Sequence, residues 1–392
     1  MGTQKERAVV QANAIATEPS ATTRDWSAIG RELAERFAAT ATEHDENDRF
    51  VTDNYGYLKG RGIFSAAIPA DIGGGGASFA EICEIIREMA HGCGSTALAF
   101  SMHSHLLAAT LWRLGQGHPV QPLLERIVNE QIVLISTGAS DWLESSGTAR
   151  AVEGGFRVNG RKIFASGCED GGVLVTSACF DDPVEGATVL HFPVPFNAEG
   201  LRVEKNWKTM TMRATGSHHV LLEDVFVPEG AVALRRAQGV WHPFFNVVVA
   251  VAMPIITAAY VGVAEAAAEL TLKTVADKAE NPHLPYLLGE MQNSLTTAQM
   301  ALREMVEMNQ NLEFKPTTEN ASEILTRKTI AANAVLATTE KALEAVGGRG
   351  VFRDLGLERL LRDAHGAQFH PLPEKRQHHF TGRLMLGLDP IG

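Results

Sequence analysis

Fourteen histidines are the chain's supply of groups that exchange protons near neutral pH. His370 follows the Arg362-Asp363 pair at a distance of seven residues from the Asp. His103 and His105 stand two apart in the helical run LAFSMHSHLLAATLWRL, so they face different sides, and at most one reaches a given pocket. The adjacent pairs His218-His219 and His378-His379 read as surface positions. No His, Asp or Glu spacing resembles a metal site. The four cysteines, Cys83, Cys93, Cys168 and Cys179, form no CxxC pair, which argues against structural zinc and suits a reducing compartment. Gly347, Gly348 and Gly350 let backbone approach a ligand closely, and Arg349 among them is a planar donor for a phosphate. The nucleotide motifs GxGxxG and GxxxxGK[ST] are absent, and so is the hydrolase elbow GxSxG.

These residues need elements to position them, and the chain changes character twice. Residues up to about 125 read as helices. Ser78 and Glu81 form a capping box, and Phe79, Ile82, Cys83, Ile86 and Met89 then recur at helical spacing. Gly92 and Gly94 punctuate the end of that helix, and the glycines of Pro69–Gly76 mark a loop before it. From about 130 to 235 the pattern is strand-like. Gly154-Gly155 is a two-residue hairpin signal between ARAVE and FRVNG, and Gly160 and Gly167 mark turns around RKIFAS. Long Ala-rich helical patterns return from about 240. The organisation expected is a helical domain over 1–128, a β domain over 129–236 and a helical bundle over 237–392.

The 392 residues carry a formal charge of −11 with 45% hydrophobic and 21% charged residues, an ordinary globular balance. That charge argues against a nucleic-acid partner, because no cation excess exists to release counterions from an anionic duplex. Val247 to Ala264 holds 18 residues without a charge, at the lower limit for a membrane span. With Pro254 and Gly262 inside it and no basic flank, it reads instead as a buried bundle helix, and no membrane is expected. The first twenty residues lack the apolar core of a secretory signal, and their sixth residue, Glu6, breaks the myristoylation pattern, so a cytoplasmic protein is expected.

Five segments, in order, resemble the acyl-CoA dehydrogenase superfamily: IPADIGGGGASFAEICEIIREMA, LISTGASDWLESSG, VNGRKIFASG, MRATGSHHVLLEDVFVP and ALEAVGGRGVFRDLGLERLLRDA. The resemblance implies an N-terminal helical domain, a middle β-barrel or sandwich domain and a C-terminal four-helix bundle. It also implies a flavin between sheet and bundle, and a homotetramer. A flavin needs an apolar slot with donors and acceptors at its polar edge. Ser136, Thr137 and Ser166 match hydroxyls at that edge, with Ser166 near the reactive nitrogen, and Phe164 matches an aromatic beside the ring. Gly347, Gly348, Arg349 and Gly350 match a segment that touches the cofactor's phosphate end across a subunit boundary. His103 is the expected helper from its helix.

Dehydrogenases of this family use a Glu base shortly after the Arg-Asp motif or on the first bundle helix. Here His370 holds the first position and Val247–Val263 contains no acid. Glu374 is a carboxylate four residues late. A two-component monooxygenase branch, which takes reduced flavin from a separate reductase and uses dioxygen, carries His at the first position. The expected activity is therefore oxygenation of a small organic substrate with His370 as acid–base group and with Ser166 and His103 beside it. The alternatives are acyl-CoA dehydrogenation and an inactive flavin-binding protein. FAD is the expected cofactor and FMN the alternative. Pro285–Glu290 lacks the Arg and Phe with which dehydrogenases grip the FAD pyrophosphate.

Overall fold

A computed structural model describes residues 24–137, 141–278 and 280–392. The leader and lipid-motif readings fall on 1–23, outside the described residues.

Among the described residues five helices come first: α1 (Trp26–Glu46), α2 (Thr52–Gly60), α3 (Phe79–Gly92), α4 (Gly94–Gly115) and α5 (Gln121–Glu130). The Ser78 hydroxyl accepts from the Glu81 amide and the Glu81 carboxylate accepts from the Ser78 amide, so the capping box starts α3 as expected. At its last residue, Gly92, α3 packs tightly on α1, where a Cβ would stand 2.0 Å from the Ala34 carbonyl.

Eight strands follow: β1 (Leu134–Ser136), β2 (Thr148–Val152), β3 (Gly155–Ala165), β4 (Val173–Asp182), β5 (Gly186–Pro195), β6 (Leu201–Glu204), β7 (His218–Pro228) and β8 (Leu234–Ala237). They form one mixed sheet in the order β6-β7-β3-β2-β4-β5-β8, with β1 parallel to β4. The β2–β3 hairpin turns one residue earlier than expected. Val152 pairs with Gly155, leaving Glu153 and Gly154 as the loop, with Gly154 at φ +78°. Gly160 is not a turn either. β3 runs through it with a register shift against β7, a bulge that keeps the strand going.

Five helices close the chain: α6 (Phe244–Val275), α7 (Leu284–Asn309), α8 (Thr318–Val346), α9 (Leu357–Ala364) and α10 (Glu374–Met385). α6 is long and apolar enough to cross a membrane, yet 94% of its most apolar window is buried. It packs on α3, α4, α7, α8 and α9 and is the axle of the molecule. Pro254 lacks the N–H that the Ala250 carbonyl would accept. The buried Asn309 of α7 donates Nδ2 to that carbonyl at 3.0 Å, so the apolar helix keeps its backbone satisfied.

Candidate active site

A cavity of about 350 Å³ lies between α4, the β1–β4–β5 part of the sheet and the start of α6. His105, Ser136, Thr137, Asp141, Trp142, Phe244 and Phe245 are among its lining residues. The structure thus brings two of the expected hydroxyls, Ser136 and Thr137, together with one histidine of α4. That histidine is His105 and not His103.

The correction has a simple cause. His103 is spent on backbone: Nδ1 accepts from the Leu134 amide at 3.0 Å and Nε2 donates to the Phe64 carbonyl at 2.8 Å. It fastens α4 to β1 and is a structural group, held neutral by burial with a pKa near 4. His105 is 6% exposed, lines the cavity and has no hydrogen-bond partner among the described residues. Burial, and to a lesser degree His103, push it down to about 4, so it is a neutral imidazole with a donor and an acceptor to offer.

The sheet side of the cavity is a closed ionic unit. Asp141 accepts from Lys162 Nζ at 2.8 Å, from the Ser146 hydroxyl at 2.6 Å and from the Thr137 hydroxyl at 3.1 Å. Lys162, wholly buried, also donates to the Ser146 carbonyl at 2.6 Å. Burial drives the Lys162 pKa down and the neighbouring carboxylate opposes it. The Thr176 hydroxyl completes the unit at 2.8 Å from Thr137.

A second group lies at the end of β3. Phe164 is 47% exposed at φ +59°, a strained conformation for a bulky residue. Its ring meets Trp207 edge-on at 6.1 Å. Trp207 is itself held by His218, whose Nδ1 accepts from the Asn206 and Trp207 amides. His218 is therefore buried and structural rather than superficial, while His378 and His379 are exposed as expected. Ser166 starts a chain of hydroxyls: 2.7 Å to Ser217, 2.7 Å on to Thr215 and 2.9 Å to the Met212 carbonyl. A carbonyl only accepts, so filling every bond runs the protons inward and leaves the Ser166 oxygen an outward acceptor.

His370 is placed by three anchors. Arg362 pairs with Asp45 and Glu358, each at 2.6 Å. Asp363 accepts from the Met212 amide at 2.6 Å, which ties this segment to the Trp207–Ser217 loop. Buried Lys328 donates to the His370 and Leu372 carbonyls at 2.9 and 3.1 Å, and burial lowers its pKa to about 8. The His370 ring lies 2.7 Å from the Tyr260 hydroxyl, which reaches it past Gly366. A Cβ on that glycine would stand 2.6 Å from the same oxygen. Burial raises the Tyr260 pKa, so the phenol keeps its proton and donates to Nε2, leaving the ring's own proton on Nδ1. Burial, then the Lys328 charge and His105, lower His370 to about 3. His370 borders a small void between α6 and α8 rather than the cavity lined by His105. Sequence spacing gave no sign of Tyr260 or Lys328, which sit 110 and 42 residues from it.

Glu374 turns to the surface, 3.6 Å from Lys375 and 3.8 Å from His378. Gly347, Gly348 and Arg349 are exposed after α8, where Arg349 pairs with Asp354 at 2.6 Å, far along the chain from the cavity lining. Gly350 is buried beneath them.

Family models describing the acyl-CoA dehydrogenase N-terminal and C-terminal domains match residues 23–131 and 254–374. The chain is 28% identical over 372 residues to a putative acyl-CoA dehydrogenase, YdbM, of Bacillus subtilis (strain 168), covering 89% of this chain and 93% of that one. It is 26% identical over 370 residues to SfnC of Pseudomonas putida, described as a probable FMNH2-dependent monooxygenase, covering 90% and 92%. Among solved structures, KijD3 in complex with FMN and a dTDP-linked amino-keto sugar superposes with a TM-score of 0.82 at 24% identity, over 94% of this chain and 95% of that one. With the helix–sheet–helix order and both domain models in place, the chain belongs to the acyl-CoA dehydrogenase superfamily.

Proposed function

We propose that the protein is a flavin-dependent monooxygenase that uses reduced flavin and dioxygen on a small organic substrate. One observation carries the reading. Among the described residues lining the cavity, the one carboxylate is Asp141, and both its oxygens are engaged. Glu374 is superficial, and Glu265, the first acid along α6, is tied to Arg87, His91 and Gln299. Proton abstraction next to a thioester needs a carboxylate or equivalent base in reach, and this site offers imidazoles instead.

The residues fit a flavin. Phe164 and Trp207 are an exposed aromatic corner, and Ser166 beside them is an acceptor. A reduced flavin ring carries an N–H where the oxidised ring has only a lone pair, so an acceptor there favours the reduced form. Ser136 and Thr137 are further candidates for the polar edge. Bound flavin would supply the electrons for dioxygen chemistry. His370 is the proposed acid–base group, with Tyr260 fixing its tautomer and Lys328 its backbone. FMN is preferred to FAD, because Pro285–Glu290 lacks the pyrophosphate-gripping Arg and because SfnC is described as FMNH2-dependent. A separate reductase would supply the reduced flavin, since the chain has no dinucleotide-binding GxGxxG. The Gly347–Gly350 turn, exposed at Gly347, Gly348 and Arg349, is proposed to serve a neighbouring subunit in a homotetramer, which light scattering would test.

The decisive experiment mixes flavin-loaded protein anaerobically with acyl-CoA thioesters. The flavin is expected to stay oxidised. Rapid bleaching with enoyl product overturns the reading in favour of dehydrogenation. Reduced FMN should bind more tightly than oxidised FMN, and His370→Ala should abolish oxygenation while flavin stays bound.

A further inference from the structure

The surroundings of the His370 ring restrict how it can handle protons. Burial, then the Lys328 charge and His105, hold it neutral with a pKa of about 3, so it has no cationic form to spend near neutral pH. A neutral imidazole that gives up its Nδ1 proton stays neutral only if another proton reaches Nε2 as the first leaves. The Tyr260 hydroxyl, 2.7 Å from Nε2, is the donor placed there. Burial raises the Tyr260 pKa, so the phenolate is disfavoured and the phenol must be refilled from behind.

Behind it lies the void between α6 and α8, about 10 Å³ in volume. One buried water takes about 10–15 Å³ of such space and makes about three hydrogen bonds. The apolar lining is aliphatic, and the polar lining is Thr257, Tyr260, Lys328 and His370. Thr257, Tyr260 and Lys328 are each more than nine-tenths buried. Thr257 and Tyr260 share a face of α6 at a three-residue step, and Lys328 reaches the void from α8. All three have bonding capacity left. The Thr257 hydroxyl has no hydrogen-bond partner among the described residues. The Lys328 ammonium has three N–H donors and spends two, on the His370 and Leu372 carbonyls. The Tyr260 oxygen donates to Nε2 and keeps its lone pairs.

Tyr260 and His370 are the titratable groups that face Lys328 across the void. Carboxylates on the other elements around α8 are engaged elsewhere. Glu290 and Glu304 of α7 pair with Lys341 and Arg327, Asp363 of α9 accepts from the Met212 amide, and Glu374 of α10 faces Lys375. Burial lowers Lys328 to about 8, so it is charged at neutral pH yet releases its proton more readily than a surface lysine.

We propose that this void binds one water, held by Thr257, and that the water joins Lys328 to Tyr260 in a proton path that refills His370 from the rear. This rests on the acid–base reading of His370. As Nδ1 passes its proton to the reacting group, Tyr260 passes one to Nε2, the water passes one to the Tyr260 oxygen, and Lys328 passes one to the water. The phenol and the water each lose one proton and gain one. The net change is ammonium to amine at Lys328 and Nδ1–H to Nε2–H at the ring. The neutral amine keeps two N–H groups, which match its two carbonyls, so its hold on the His370 segment survives. Solvent returns the proton between turnovers. Lys328 touches no substrate and acts through the water and Tyr260.

The first test is a crystal structure of the flavin-free full chain. A water should lie within about 3.2 Å of Lys328 Nζ, Thr257 Oγ1 and the Tyr260 oxygen, and Thr257→Val should remove it. The second is a pH titration of the same flavin-free chain carrying isotope-labelled histidine, read by NMR, with His370→Asn assigning the signal. The His370 ring nitrogens should shift with a midpoint near pH 8, the Lys328 titration. Tyr260→Phe and Thr257→Val should each abolish that shift. The proposal is overturned if the void holds no such water, if no midpoint near pH 8 appears, or if the shift survives Tyr260→Phe, which would route it through the carbonyl bonds alone. With flavin loaded, kcat should fall as pH rises through about 8. Lys328→Arg, which can hold the carbonyls but cannot release a proton, should lower kcat at least tenfold with KM unchanged; full kcat overturns the proposal. Thr257→Val, which leaves both carbonyl bonds in place, should lower kcat in the same way and serves if arginine does not fit. A chain that shows the water and the pH 8 shift but never oxygenates removes the proposed function and keeps the path.

Discussion

The cavity has two kinds of wall, and they contrast sharply. On the sheet side, Asp141, Lys162, Thr137, Ser146 and Thr176 satisfy one another, so charge is present but spent. On the helix side, His105 has no hydrogen-bond partner among the described residues. The first wall holds architecture, while the second has bonding capacity left for a ligand. The difference teaches that burial of a polar group says little about function until its partners are counted.

Acid should break this contrast most severely. His103 and His105 have folded pKa values near 4, and His191 and His370 near 3, all depressed below 6.5 by burial. The unfolded chain therefore binds more protons than the folded chain below pH 6.5, and stability falls as pH drops from 6.5 toward 4. Asp363, raised to about 6 by burial, works in the opposite direction and is outnumbered. Urea unfolding across this range should show the loss, and His105→Leu should soften it by removing one of the four groups.

Breaking the spent wall comes next. Lys162→Ala leaves Asp141 buried without its cation and should cost about 3–5 kcal/mol in denaturant unfolding. The two α4 histidines then sharpen the comparison on a single helix. His103→Leu strands a backbone donor and a backbone acceptor and should cost about 2–3 kcal/mol. His105→Leu strands nothing and should change stability by less than about 1 kcal/mol. Equal costs for the two would erase the distinction between them. The smallest effect belongs to Glu374→Gln, which should leave stability and turnover unchanged, because that carboxylate faces Lys375 and His378 at the surface.

Much of this architecture was legible from residue order. The capping box at Ser78 and Glu81 needs only local bonds, and the uncharged run of α6 needs only a bundle to bury it. Helical spacing also said that His103 and His105 face different ways. It gave no means of telling which one faced the backbone of a distant strand, because Leu134 and Phe64 are brought there by tertiary packing. The same holds for Tyr260, Lys328 and the Ser166–Ser217 link, which form only across elements. Gly160 misled for a related reason: a glycine that permits a bulge and one that makes a turn look alike until the partner strand is known.

The uncharged aliphatic stretch of α6 around Pro254 distinguishes one axial position from the next only weakly, and a slide of one residue moves it only about 1.5 Å. The amide of Asn309 bonding at the proline gap works as a bolt against such sliding. Because α6 touches both α4 and α9, the bolt also sets how far the helix bearing His105 stands along that axis from the helix that precedes His370.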